Sequence, residues 1–110
     1  MVTAKKELFE PELQEVADLF KVLSHPARLQ ILLFLAETKT CISGDISEEL
    51  PLSRTTVNQH LKELKEADLI SGQVEGARVN YCLNPAKVII LKNLISKFLN
   101  QVNVDISNCC

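Results

Sequence analysis

Apolar residues recur at helical spacing over most of this chain and alternate in one stretch, so elements can be laid out in order from the pattern alone. Leu13, Val16, Ala17, Phe20 and Leu23 keep i, i+3, i+4, i+7 spacing behind Pro11, which predicts an amphipathic first helix over residues 11–23. Pro26 suits the first position of a second helix, whose Leu29, Ile31, Leu32, Leu33, Phe34 and Leu35 are apolar almost all round. Such a helix should be central. A short third helix is expected from about Asp45 to Leu50, stopped before Pro51. Ser53 can cap a fourth helix that runs to about Ala67, with Val57, Leu61 and Leu64 along its apolar edge.

Residues 70–74 and 78–83 alternate around Glu75-Gly76-Ala77, which predicts a two-stranded hairpin with glycine at the turn. Val79, Tyr81 and Leu83 share one face of it; Arg78, Asn80 and Cys82 share the other. Asn84 caps and Pro85 opens a last helix with Val88, Leu91, Leu94, Ile95, Phe98, Leu99 and Val102 on its apolar face. The expected fold is mainly α with a small β-hairpin. It is a winged helix-turn-helix of five helices and a two-stranded wing, in the order ααααββα. One domain should cover residues 1–103, with 45–83 facing DNA, and residues 104–110 form a C-terminal tail carrying Cys109 and Cys110.

The polar edge of the fourth helix carries the functional signal. Exposed helix faces are usually filled with Glu and Lys, whereas here Arg54, Thr55, Asn58, Gln59 and Lys62 gather opposite the apolar edge. Amides and an arginine fork can bond bidentately to base edges in a major groove, and hydroxyls can meet phosphates. The candidate DNA-binding residues are therefore Ser53, Arg54, Thr55, Thr56, Asn58, Gln59 and Lys62, with Arg78 near the wing tip for a phosphate of the minor groove. A merely solvated polar face is the alternative, and Arg78 can equally pair with Glu75 across the turn.

Charge qualifies this picture. The chain of 110 residues has a net charge of -2, and between residues 52 and 81 four basic side chains (Arg54, Lys62, Lys65, Arg78) meet four acidic ones (Glu63, Glu66, Asp68, Glu75). DNA binding must then rest on local placement of charge and on two copies of the chain, with moderate, salt-sensitive affinity. Hydrophobic content of 46% and charged content of 24% are those of an ordinary globular chain. The longest apolar run, Ile31 to Ala36, is far too short for a membrane span, and the first residues lack a signal-peptide core. A cytoplasmic protein with reduced cysteines is the expectation. With three glycines and two histidines the chain offers no phosphate loop, nucleophile elbow or acid–base constellation, so no enzyme is expected.

Three segments resemble one known family. Residues 22–32 (VLSHPARLQIL) look like its L-x-x-P-x-R-x-x-I-L segment, residues 52–64 (LSRTTVNQHLKEL) like its L-S-x-x-T-V-S-x-H-L-x-x-L recognition helix, and ADLI at 67–70 with RVNYCL at 78–83 like its A-G-L-V … R-x-x-Y-x-L wing. The family is the ArsR/SmtB group of bacterial metal- and stress-sensing repressors, and the resemblance covers about residues 13 to 85. It implies a homodimer built by helices about 11–23 and 85–102, bound to double-stranded DNA at an imperfect palindrome and released by an inducer. The wide apolar stripes of those two helices point to a dimer independently; the alternative is that both simply close the core.

The inducer is sought among the cysteines, because thiolates select thiophilic ions such as As(III), Sb(III), Cd(II) or Zn(II). Cys41 resembles the first cysteine of the family's C-x-C motif, but Ser43 stands where the second would be. Cys109 and Cys110 on the tail would bring the number of thiols to three, as a trigonal As(III) centre requires. The expected metal ligands are Cys41, Cys109 and Cys110, and As(III) is the first choice of inducer. Residues 86–102 contain no Asp, Glu, His or Cys, which excludes a Zn(II) site on the last helix. Two other readings stand beside this one: a redox or persulfide sensor in which Cys41 and the terminal pair are oxidised, and a winged-helix protein–protein module. Alanine at Gln59 and Lys62 separates the last from the others. In anisotropy titrations with an operator duplex, the double variant should bind weaker and Lys62→Ala should lower the salt slope by about 1; unchanged affinity would sink the DNA reading of this helix.

Overall fold

The computed structural model describes residues 8–38, 41–43, 46–76 and 78–104. Four α-helices and a small sheet follow in the order α1 (Pro11–Val22), α2 (Pro26–Thr38), β1 (Ile42–Ser43), a 3-10 turn (Ile46–Glu49), α3 (Arg54–Glu66), β2 (Ile70–Glu75), β3 (Arg78–Leu83) and α4 (Pro85–Gln101). This is a winged helix-turn-helix with four α-helices instead of five. The segment expected as a third helix is only a 3-10 turn, because four residues ahead of Pro51 are too few to propagate an α-helix.

The caps act where the sequence places them. Ser53 Oγ accepts from the Thr56 N–H at the start of α3, and Asn84 Oδ1 accepts from Lys87 N–H at the start of α4. The core gathers Ile31 and Leu35 of α2, Ile46 of the 3-10 turn, Val57, Leu61 and Leu64 of α3, and Leu69 and Ile70 at the entry to the wing. Ile31, Leu64 and Leu69 are completely buried.

Two helices differ from expectation. α2 is central on one side only: Ala27, Ile31 and Leu35 are buried, whereas Leu29 and Leu33, on the opposite side at 100° per residue, are 45% and 56% exposed. In α1 the buried residues are Val16 and Leu19, while Leu13, Ala17 and Phe20 face outward. α1 packs on α4 through an edge-to-face contact of Phe20 with Phe98 (ring centroids 5.9 Å apart) and a Lys97–Glu12 ion pair at 2.9 Å. Neither helix is sunk in the core, and α4 has no buried residue at all.

The wing has one strand more than expected. β2 and β3 pair antiparallel from Ile70↔Leu83 to Glu75↔Arg78 around Gly76, whose φ of 65° suits glycine. β1 adds to the other edge of β3, giving the order β1-β3-β2. Two residues are too few to show alternation in sequence, so only the pairing reveals this strand. No single described helix is long and apolar enough to cross a membrane.

The end of α3 stores a small strain. Leu69 N–H reaches the carbonyl of Leu64 and Asp68 N–H that of Lys65, a Schellman closure that puts Asp68 in the left-handed region at φ 62°. Aspartate there suffers both the left-handed cost and an unfavourable charge at the negative end of the helix. Asp68→Gly should therefore raise stability by about 1 kcal/mol, read as a higher urea midpoint at unchanged slope. An unchanged or lower midpoint would show that the turn is not strained.

Candidate nucleic-acid interface and thiol pair

The inner face of α3 fixes the direction of its outer one. Val57, His60, Leu61 and Leu64 are buried, and Arg54, Thr55, Asn58, Gln59 and Lys62 consequently all lie exposed on the outside. Not every predicted contact is equally available. Ser53 Oγ donates to Thr56 Oγ1 at 3.0 Å while accepting from Thr56 N–H at 3.3 Å, so these two hydroxyls serve the cap. Gln59 Nε2 donates to Glu63 Oε1 at 3.2 Å, one turn along the same helix. Arg78 opens β3 opposite Glu75, at the wing turn.

A polar seam inside the motif escaped the sequence reading. Arg28 of α2 donates through Nε to His60 Nδ1 and through Nη1 to the Val22 carbonyl, each at 3.1 Å, and so ties the end of α1 and the body of α3 to α2. Arginine is always a donor, so His60 Nδ1 must be unprotonated to accept from it. The ring of His25 lies 4.3 Å from that of His60, and its Nδ1 accepts from Ala27 N–H at the start of α2. Burial foremost, then the charges of His25 and Arg28, push the His60 pKa below its ordinary value of 6.5, with Glu63 opposing. The available clues were an arginine in the first turn of a largely apolar helix and a histidine three residues after Val57 on the buried edge.

The cysteines meet differently from expectation. The register Ile42↔Tyr81 brings Cys41 opposite Cys82, and the two form a disulfide with Cα atoms 4.4 Å apart. That spacing is the one at which directly opposed residues of a non-hydrogen-bonded antiparallel pair stand. A disulfide sulfur is not a thiolate, so in this state Cys41 does not offer the ligand atom that the expected As(III) site needs. Cys109 and Cys110, its expected companions, lie outside the described residues. Among the described residues no group of three or more His, Cys, Asp or Glu converges as a metal site.

The chain is similar in sequence and fold to known proteins. Residues 25–71 match the family described as "Bacterial regulatory protein, arsR family". The transcriptional repressor SdpR of Bacillus subtilis (strain 168) is 34% identical over 86 residues, which are 78% of this chain and 91% of that protein. The arsenical resistance operon repressor of Staphylococcus aureus is 31% identical over 96 residues, 87% of this chain and 88% of its own. The structure described as reduced HlyU from Vibrio cholerae N16961 superposes with a TM-score of 0.59 at 28% identity, covering 76% of this chain and 88% of that one.

His60 makes stability depend on pH in a defined direction. A histidine whose folded pKa is depressed binds fewer protons folded than unfolded, so stability is full above about pH 6.5 and falls as pH drops through the lowered folded value. The thermal midpoint should decline between pH 7.5 and pH 5, and His60→Asn, which can keep an acceptor for Arg28 without titrating, should flatten that decline. Identical slopes for both proteins would remove His60 as the cause.

Proposed function

Because the chain belongs to the arsR family of bacterial regulatory proteins, we propose that it is a homodimeric repressor that binds an imperfect palindromic operator and lets it go when Cys41 changes its chemistry. Its family and relatives are DNA-binding transcriptional regulators, not enzymes. The observation that carries the operator reading is the exposed edge of Arg54, Asn58, Gln59 and Lys62 on a helix whose other edge is locked in the core. Those groups can bond base edges and phosphates in a major groove. A second copy is supported by α4, which buries no residue within the protomer and exposes Val88, Ile89, Ile90, Leu99 and Val102, and by α1, packed on it through Phe20 and Phe98, which exposes Leu13 and Phe20. Apolar surface of that extent belongs under a partner, and a two-fold pair presents two reading helices to two half-sites.

Regulation by thiol oxidation is supported by the Cys41–Cys82 bond and by the likeness to a structure described as reduced HlyU. A regulator meets its operator in the compartment that holds the DNA, where thiols are normally kept reduced and disulfides act as sensors. Closing the bond removes two protons and two electrons from the two thiols, and a peroxide that takes them up is reduced to water. The bond pins the strand leading into the reading motif to the middle strand of the wing. With that pin in place, α3 and the wing lose independent adjustment to the groove, and the operator is held less tightly.

The second reading is As(III) as inducer, bound by Cys41, Cys109 and Cys110, and the similarity to an arsenical resistance operon repressor favours it. It requires Cys41 as a thiolate, so oxidation and arsenite compete for the same sulfur. Operator anisotropy on the full-length protein separates the two. Under the redox reading the oxidised form binds about 5- to 150-fold more weakly than the reduced one. Cys82→Ser should abolish this difference, and changing Cys109 and Cys110 to serine should leave it. Release of reduced protein by arsenite, lost in Cys41→Ser and in the terminal double variant, would instead establish As(III). Equal affinity of oxidised and reduced protein would overturn the redox proposal.

A further inference from the structure

We infer that Gln59 selects adenine in each half-site and that Glu63 is the residue that orients it to do so, an inference that rests on the operator reading above. A carboxylate offers only acceptors, so the amide nitrogen of Gln59, not its oxygen, must face Glu63 Oε1 at 3.2 Å. One N–H of Gln59 is thereby engaged on the helix surface. What remains is one N–H and the carbonyl oxygen, a donor and an acceptor in fixed order on an exposed edge that already carries Arg54, Asn58 and Lys62.

Adenine presents the complementary pair in the major groove, an N7 acceptor and an N6 donor. Guanine presents N7 and O6, both acceptors, and would set its O6 against the Gln59 carbonyl oxygen. Thymine presents an acceptor and a methyl group, and cytosine a single donor. A glutamine free to turn its amide over would discriminate less, since either end could be offered first. Glu63 is half-buried beside His60 and belongs to the same helix, so it holds the amide without being displaced by the approaching duplex. It is a positioning residue, and its effect appears in base choice.

The test begins with the full-length reduced protein and a random-sequence duplex pool, from which bound duplexes are enriched and sequenced. In the enriched duplex each adenine is then replaced in turn by guanine and by 7-deazaadenine, and affinities are measured for wild type, Gln59→Ala and Glu63→Gln. At one adenine per half-site, wild type should lose about 5- to 150-fold with guanine and a smaller factor with 7-deazaadenine, which lacks the N7 acceptor. Gln59→Ala should be indifferent at that position alone. Glu63→Gln should shrink the adenine-over-guanine ratio there while keeping the preferences at other positions and the thermal midpoint. If Gln59→Ala retains every base preference of wild type, or Glu63→Gln retains the full ratio, the inference is overturned while the operator reading stands. If no duplex is enriched at all, the operator reading itself falls.

Discussion

The outer edge of α3 is aimed by how the inner face of that helix is seated. Val57, Leu61 and Leu64 close onto Ile31 and Leu35 of α2, Ile46 of the 3-10 turn and Ile70 of the wing. A helix held along one edge by that many buried branched side chains cannot roll, because one residue of rotation would place polar atoms in the core. The direction of Arg54, Asn58, Gln59 and Lys62 is therefore a consequence of packing. Arg28 adds a directional element to this apolar seat. Its fork joins the last turn of α1 to His60 of α3, and a half-buried charge with two acceptors in place is tolerated where an unpaired one would not be.

A covalent bond also ties the wing to the body, outside this apolar seat. β1, only two residues long, joins the chain leaving α2 to β3, and Cys41 and Cys82 stand opposite each other at its start. The wing meets the body through Leu69 and Ile70 in the core, through Tyr81 and Leu83 packed against it, and through the Cys41–Cys82 bond to the chain entering β1. Of these attachments only the disulfide can be opened by reduction. In the proposed regulation, chemistry at Cys41 would act on that bond and leave the apolar core in place.

Net charge places a further constraint on the assembly. A chain at -2 gains little from long-range attraction to phosphates, and its basic residues near the groove are few. In the proposed homodimeric repressor, affinity would come from directed contacts made twice, which would link the outer edge of α3 to the apolar face of α1 and α4. The two surfaces have different chemistry but answer one requirement.

Much of this was legible along the chain. Pro26 and Pro85 located the starts of α2 and α4, Ser53 and Asn84 act as caps where their positions foretell, and the alternation of residues 70–83 described the hairpin. These are local effects, decided by a few adjacent residues, and so were the polar groups of the reading edge. What remained hidden depended on residues far apart in sequence: the strand at Ile42–Ser43, the Arg28–His60 seam across 32 positions, the outward turn of Leu29 and Leu33, and the meeting of Cys41 with Cys82 across 41. Residue types and spacing determined the elements, the caps and the chemistry of one helix edge, because those follow from backbone geometry within a turn or two. Tertiary structure alone decided which thiol faces Cys41 and which face of each helix is covered, because both are set by the register and packing of segments whose sequences carry no mark of each other.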